Sequence, residues 1–140
     1  MQQTLFGDPV IEAKAVLHQA STQYAPVKIY ALFSGGHDSL CAAHLASQMP
    51  GFSGCVHINT GIWIPDTTQF VRDTCQRYGW LLRELHPPKS YELLVTTYGF
   101  PGPPMHRVMY HALKERCLRT LITEEQLSTA CRDCGKLANQ

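Results

Sequence analysis

The sequence predicts an α/β fold: a three-layer α/β/α arrangement around a doubly wound, mainly parallel sheet of about three to four strands. Short apolar runs with strand composition alternate along the chain with segments of helical periodicity, as in parallel sheets with right-handed crossovers. Glycine turns, Gly35-Gly36 and Gly61, follow the first two of these runs. Because ligands of such folds bind beyond the carboxyl ends of the strands, these turns mark the expected site.

Composition limits the class of protein. The 140 residues are expected to form a single domain, 1–140, with a core at about 10–121 and a tail at 122–140. A net charge of +1 gives no global attraction to nucleic acid, so such a partner would need a local basic patch. Residues 1–7 lack the features of a signal peptide, and no apolar run approaches the ~20 residues of a membrane span. We therefore expect a cytoplasmic protein without a membrane partner.

The first helix and the first strand are predicted from periodicity and from the residues that bound them. Apolar residues recur at helical spacing over 10–23, with Asp8 as a suitable N-cap and Pro9 in the first turn. Pro26 ends this helix. The β-branched and aromatic run over 27–33 then predicts a strand that is buried on both faces.

The same signals predict the next three elements. A break at 34–36 ends the strand, and a helix is expected over 38–48. The run 55–59 predicts the second strand. A further helix is expected over 65–78, opened by proline and ended by Gly79.

The last part of the domain is predicted to contain one strand and two helices. A third strand is expected over 80–85, and a short helix over 90–97. Residues 99–104 are rich in glycine and proline and predict a loop. A longer helix over 106–121 follows. Four residues line one side of it: Met105, Met109, Leu113 and Cys117.

The turn after the first strand has the composition of a phosphate-binding loop. Gly35 and Gly36 let the backbone bring N–H groups close to an anion, and the following helix offers the positive end of its dipole. Ser34 and Ser39 add hydroxyl donors, and Asp38 is a candidate ligand for a magnesium ion against the phosphates. The alternative is a tight turn in which Asp38 only caps the helix. The loop lacks the Gly-Lys-Ser/Thr ending of a P-loop and the spacing of a dinucleotide fingerprint.

The string SGGHDS at 34–39 resembles the PP-loop of the N-type ATP pyrophosphatases, or adenine nucleotide alpha hydrolases. Those enzymes cleave ATP between the α and β phosphates, usually to adenylate a substrate. Two further blocks resemble the phosphoadenosine phosphosulfate (PAPS) reductase-like branch. The first is HINTGI at 57–62, followed by Pro65 and Phe70-Val71, and the second runs from GFP at 99–101 through HALKER at 111–116. The resemblance covers about residues 10–120.

The resemblance implies an adenine nucleotide as ligand, with ATP and Mg²⁺ as the reacting pair. It implies that the loop holds the β and γ phosphates or the pyrophosphate, with Asp38 and Ser39 as the catalytic residues and His37 either near a phosphate or a spectator. Backbone groups at 31–33 and Asn59 would contact the adenine. The implied nucleotide-binding residues are Ser34, Gly35, Gly36, His37, Asp38, Ser39, Asn59, Thr60 and Gly61.

The sequence departs from the family pattern in two ways. No strand with a Gly-Val-Arg-type loop follows the long helix, so the domain resembles a shortened version that a second chain or a second copy would complete. The reductases carry a nucleophilic cysteine in a Glu-Cys-Gly-x-His-type motif, whereas this chain has Asp133-Cys134-Gly135-Lys136 with no following histidine. A non-catalytic nucleotide-binding module and a thiol-dependent PAPS reductase therefore stand as alternatives to ATP cleavage.

Two weaker patterns remain. Cys131 and Cys134 have the spacing of half a zinc or iron–sulfur site, with Cys117 and His106 or His111 as candidates for the other ligands. The alternative is a thiol pair in the tail.

The long helix is basic on its polar side. Its candidate substrate-side residues are Arg107, His111 and Lys114, which would contact a substrate phosphate or nucleic acid. The alternative is a solvated face.

Overall fold

The structure, a computed structural model, describes residues 7–62 and 64–137, and for 127–137 it describes the backbone alone. It confirms the α/β fold with a parallel sheet, which has three strands in the described part of the chain. The elements in chain order are α1 (Pro9–Tyr24), β1 (Ile29–Leu32), α2 (His37–Ala46), β2 (Phe52–Ile58), α3 (Pro65–Tyr78), β3 (Leu82–Leu85), α4 (Tyr91–Tyr98), a 3₁₀ turn (Pro103–Met105), α5 (His106–Tyr110), a π-helical segment (His111–Glu115) and α6 (Arg116–Leu137).

The strand order is β1-β2-β3, and β1 runs parallel to β2 with one irregularity in register. Ile29 lies opposite Phe52 and Tyr30 opposite Gly54, so Ser53 is an extra residue in β2. Gly54 has φ +128°, and a Cβ there would lie 2.3 Å from the carbonyl oxygen of Leu81. Only glycine fits at this position, because any side chain would collide with the backbone that leads into β3.

Capping explains why several boundaries agree with the prediction. The Asp8 carboxylate accepts from the backbone N–H of Val10 at 2.9 Å, at the start of α1. Gly79 ends α3 in the left-handed conformation at φ 67°. The Ser90 hydroxyl accepts from the N–H of Leu93 at 3.2 Å, which places the start of α4.

The chain divides into two compact units, each described here by itself. The first consists of residues 7–57 and 64–84 in the described chain, and its core joins β1 and β2 to α2 and α3. The second consists of 58–62 and 85–137, and its core joins α4 to α5 and the π-helical segment. The buried residues of the first core are Ala31, Phe33, Ala43, Ala46, Cys55, Val71 and Cys75, and those of the second are Leu94, Met109 and Leu113.

The π-helical segment explains an unusual spacing. Met109, Leu113, Cys117 and Leu121 are all buried, and they recur every four residues. In an α-helix of 3.6 residues per turn, each such step would rotate the side chain by about 40° away from the core. The wider turn of the π-helix at His111–Glu115 offsets part of this rotation, so these residues stay on one side.

The last helix is longer than predicted, because α6 continues to Leu137 instead of ending near 121. Residues 122–134 contain neither proline nor glycine, so the sequence offers no stop signal there. Within the described part of the chain, no helix combines the length and the apolar character needed to cross a membrane.

Candidate functional site

The turn between β1 and α2 is built around a glycine. Gly35 has φ +92°, a conformation that side-chain-bearing residues rarely adopt. A Cβ on Gly35 would also lie 2.8 Å from Thr67 Cγ2 and 3.2 Å from Val71 Cγ2, so α3 packs directly against the turn. The sequence therefore needs glycine here for both conformation and space.

Two serine hydroxyls hold this turn in shape. Ser39 Oγ donates to the Gly36 carbonyl at 2.8 Å, lies 3.0 Å from Ser34 Oγ, and accepts from the Ser34 N–H at 3.3 Å. Since the single hydroxyl hydrogen of Ser39 is used on Gly36, Ser34 is the donor in the contact between the hydroxyls. Both hydroxyls thus bond within the loop in this structure, and donation to a phosphate would require them to rearrange.

The start of α2 offers donors to an anion. Gly36 is the N-cap, and no side chain caps it, so the first N–H groups of the helix lack the usual side-chain acceptor. Asp38 is the acidic residue of the first turn and its side chain is exposed. A cavity of about 260 Å³ borders this turn and is lined by Gly35, Gly36, His37, Leu40 and Phe70. Glycine backbone and an uncapped helix start around a cavity of this size suit a phosphate group.

One residue near the loop was not expected as a site residue. His57 on β2 is 1% exposed, and its Nδ1 lies 2.9 Å from the carbonyl oxygen of Phe33, the residue before the loop. Because a carbonyl oxygen only accepts, Nδ1 carries the hydrogen. The other ring nitrogen, Nε2, is buried and has no hydrogen-bond partner. A histidine inside an apolar strand was the only sequence signal of this role. Its partner could not be identified from the sequence, because Phe33 lies 24 residues away in the chain.

The turn after β2 lies in the second unit and is closed by its own asparagine. Asn59 Oδ1 accepts from the N–H of Gly61 at 3.1 Å, and Gly61 has φ +76°. The Asn59 side chain therefore shapes the turn. Thr60 is 4% exposed and lines a cavity of about 630 Å³.

The basic residues of the long helix divide into two groups. Lys114 and His106 line the same cavity as Thr60, whereas Arg107 and His111 are not among its lining residues. His111 Nδ1 lies 2.8 Å from Glu115 Oε2, and Arg119 Nη2 lies 2.6 Å from Glu115 Oε1. The hydrogen bond from His111, followed by that from Arg119, holds the pKa of Glu115 below its usual value. These contacts place His111 in a surface network.

The described cysteines are mainly core residues. Burial, and then the neighbouring Cys75 thiol, raises the pKa of Cys55 to about 12. Burial also raises the pKa of Cys75 and of Cys117, whose Sγ donates to the Leu113 carbonyl at 3.4 Å. Cys41 is exposed. The described thiols with raised pKa values are unsuited to nucleophilic chemistry near neutral pH.

The expected metal half-site lies outside the described side chains. Cys131 and Cys134 fall in the part of α6 for which only the backbone is described. Among the described residues, no group of three or more His, Cys, Asp or Glu side chains could hold a metal ion. Within that limit, Cys117, His106 and His111 do not assemble into a site.

Taken together, the parallel sheet and the glycine turn define an α/β domain with a glycine-shaped turn between its first strand and the helix that follows. A family model described as the phosphoadenosine phosphosulfate reductase domain matches residues 28–132. The chain therefore belongs to the PAPS reductase-like family of the nucleotide-binding PP-loop superfamily. This confirms the family predicted from the sequence. The matched segment ends before Cys134.

Among solved structures, the chain is similar to the crystal structure of phosphoadenylyl-sulfate (PAPS) reductase from Candida auris in complex with phosphate. The two share 17% sequence identity with a TM-score of 0.47, over 86% of this chain and 64% of that chain. The chain thus spans less than two thirds of the length of that reductase. A search of curated proteins found no match.

Proposed function

We propose that the domain binds ATP at the turn between β1 and α2 and cleaves it between the α and β phosphates, transferring AMP to an acceptor in sulfur or nucleic-acid chemistry. The observation that carries the proposal is the geometry of Gly35, whose positive φ and contact with α3 shape the cavity at the uncapped start of α2. In this reaction an acceptor oxygen bonds to the α phosphorus. The bond from that phosphorus to the oxygen bridging it to the β phosphorus breaks, and pyrophosphate leaves.

The loop residues would act on the leaving pyrophosphate. The first N–H groups of α2 would stabilise its charge as that charge develops. Magnesium, when bound with ATP, neutralises part of the charge on the pyrophosphate. Asp38 would hold this ion together with phosphate oxygens and water, since Mg²⁺ usually takes one or two carboxylates and keeps several waters. Ser34 and Ser39 would maintain the loop.

The test is a product assay with ATP, Mg²⁺ and the Asp38→Ala and Asp38→Asn variants. Separation of AMP from ADP identifies the bond that is cleaved, because AMP forms by cleavage between the α and β phosphates and ADP by cleavage between the β and γ phosphates. We expect AMP and pyrophosphate from the wild-type chain, at least about 100-fold less from both variants, and no change in Asp66→Ala. Asp66 is a matched control, because it is an exposed carboxylate in the first turn of α3. ADP as product, or full activity in Asp38→Ala, would overturn the proposal.

The family name favours a second candidate, a thiol-dependent PAPS reductase. In that case Cys134 would be the nucleophile, and Lys136 or Arg132 would lower its pKa. Sulfite release from PAPS with a dithiol reductant, lost in Cys134→Ser but retained in Asp38→Ala, would favour the reductase.

Binding of ATP without turnover defines the remaining alternative, a nucleotide-binding module. A second copy or another chain is then the first addition to test.

A further inference from the structure

A cavity in the second unit has the size and the walls of a small-molecule site. Its volume of about 630 Å³ lies in the range of such sites, about 300–1,000 Å³, and every residue that lines it belongs to this unit. Most of these residues are apolar or aromatic, including Ile62, Tyr91, Met109, Tyr110 and Leu113. Such walls favour a ligand with a planar apolar body, because burial of its surface and contact with the two tyrosine rings both stabilise it.

The charged part of the wall gives no reason to expect an ionic ligand. Lys114 already has an interaction partner within the chain, so an anion would have to compete with that partner for the ammonium group. His106 is exposed, so its ring is accessible to water. No Asp or Glu is among the described residues of the wall, which leaves a cation without a carboxylate there. An ion that entered the cavity would therefore lose hydration for little return.

The buried polar group of the wall is the hydroxyl of Thr60. This residue is 4% exposed and lines the cavity. Among residues 7–62 and 64–126, whose side chains the structure describes, the Thr60 hydroxyl has no hydrogen-bond partner. A hydroxyl that is nearly cut off from bulk water gains from a ligand that hydrogen-bonds to it, since it can both donate and accept.

We propose that this cavity binds an uncharged aromatic molecule that carries one hydroxyl or amide group, with the ring between the apolar walls and the polar group at Thr60. The inference does not depend on the proposed function, because none of the lining residues belongs to the turn between β1 and α2.

Two other ligand classes fit the same walls less well. A nucleoside is the main competitor, because the sequence resemblance implied Thr60 in a nucleotide site and because tyrosine rings also stack on bases. Its base and ribose carry donors and acceptors on most edges, and a largely apolar wall would leave many of them unpaired. An aromatic acid has a suitable ring, but its carboxylate would have to displace the existing partner of Lys114.

The test titrates phenol, toluene, benzoate and adenosine into the full-length chain without nucleotide and follows the protein by NMR. We expect phenol to give saturable shifts around Thr60, Tyr91 and residues 101–114. Benzoate, which has a similar ring and a negative charge, should bind about tenfold more weakly.

Thr60→Val should lower phenol affinity about fivefold, which corresponds to one hydrogen bond, and should leave toluene affinity unchanged. Retained toluene binding also shows that the cavity of the variant is folded. Thr97→Val is the matched control and should change neither affinity. Thr97 is exposed, lies in the same unit outside the cavity, and its hydroxyl donates to the Leu93 carbonyl at 2.7 Å.

Tyr110→Ala provides a second variant, since this ring is about half exposed and its loss removes part of the wall. It should lower phenol and toluene affinity alike, about tenfold. Tyr98→Ala is its control, because Tyr98 is similarly exposed in the same unit and does not line the cavity.

Four results would overturn the inference: no saturable shifts with phenol, benzoate affinity equal to that of phenol, equal losses of phenol and toluene affinity in Thr60→Val, or tighter binding of adenosine than of phenol. Asp38→Ala separates this inference from the proposed function, since phenol affinity should be unchanged in that variant. Phenol binding in a chain that does not cleave ATP would leave the cavity assignment standing and remove the proposed function alone.

Discussion

The Nδ1–H of His57 donates to the carbonyl oxygen of Phe33 at 2.9 Å, so a buried histidine on β2 fixes the peptide that leads into the turn between β1 and α2. This bond joins the carboxyl end of β1 to β2 beyond the regular ladder, next to the bond from Phe33 N–H to the Val56 carbonyl. The His57 side chain therefore anchors the residue before the loop, although it does not line the cavity beside the loop.

The substitutions His57→Asn and His57→Gln distinguish the roles of the two ring nitrogens of His57. The asparagine amide takes the place of Nδ1 and keeps a donor for Phe33, whereas the glutamine amide reaches toward Nε2 and loses it. We expect ATP affinity within about threefold of wild type for His57→Asn and about tenfold lower for His57→Gln, because one buried hydrogen bond is lost. Affinity should be measured by calorimetry on protein shown to be folded. Equal losses in the two variants would show that the bond does not position the loop.

Gly35→Ala should destabilise the first unit far more than Gly36→Ala. Alanine at 35 combines a backbone conformation at φ +92° with a contact of 2.8 Å to Thr67, which together cost about 2–4 kcal/mol. Gly36 has φ −85°, and a Cβ there meets only Ser34 Oγ at 3.7 Å, so its replacement should cost less than about 1 kcal/mol. Urea denaturation measures both, and similar midpoints for the two variants would contradict this account of the turn.

Alkaline pH should destabilise the protein through Cys55. The pKa of this thiol rises from 9.0 to about 12 in the folded chain, so above pH 9 the unfolded chain loses a proton that the folded chain keeps. The stabilisation is complete below pH 9 and is lost progressively as pH rises toward 12, by up to about 1.4 kcal/mol per pH unit. In Cys55→Ala the free energy of unfolding should fall less steeply between pH 9 and 11. Parallel curves for the two proteins would mean that Cys55 does not titrate differently on unfolding.

Acid pH should weaken the surface network around Glu115. The pKa of Glu115 is lowered by His111 and then Arg119, so its contribution is present above pH 4.5 and is lost as pH falls through the lowered value. Glu115→Gln should lower Tm at pH 7 by about 1–3 °C and should reduce the fall in Tm between pH 7 and pH 4. Glu92→Gln provides the comparison, as an exposed carboxylate in the first turn of α4. If Tm changes with pH in the same way in both variants, the network around Glu115 is not the cause of the loss of stability at acid pH.

Local signals predicted the elements whose ends are set by local chemistry. Pro65 and Gly79 bound α3 at its observed ends, because proline in the first turn and a left-handed glycine act within the helix itself. The start of β2 was expected at Cys55, but the strand begins at Phe52. Ser53 and Gly54 are poor strand formers alone, and pairing with β1 places them in the sheet.

The site, too, was predictable only where its residues are neighbours in the chain. The glycine turn lies within the consecutive residues 34–39, so its shape could be expected from the local sequence. The bond from His57 to Phe33 and the cavity shared by Thr60, Tyr91 and Lys114 depend on residues far apart in the chain. The π-helical segment could not be predicted from the sequence either. Over a short span, apolar residues spaced by four also fit one side of an ordinary α-helix.

Gly54 has a consequence for mutational screens of this protein. Its missing side chain leaves room for the Leu81 carbonyl, which accepts from the Cys55 N–H at 2.7 Å, so substitution would detach β3 from the sheet. Under the proposed function, a screen scored only on activity would rank Gly54 beside Asp38, although the first position tolerates no added atom and the second would contribute charge. Soluble yield, measured on the same clones, would tell the two kinds of loss apart.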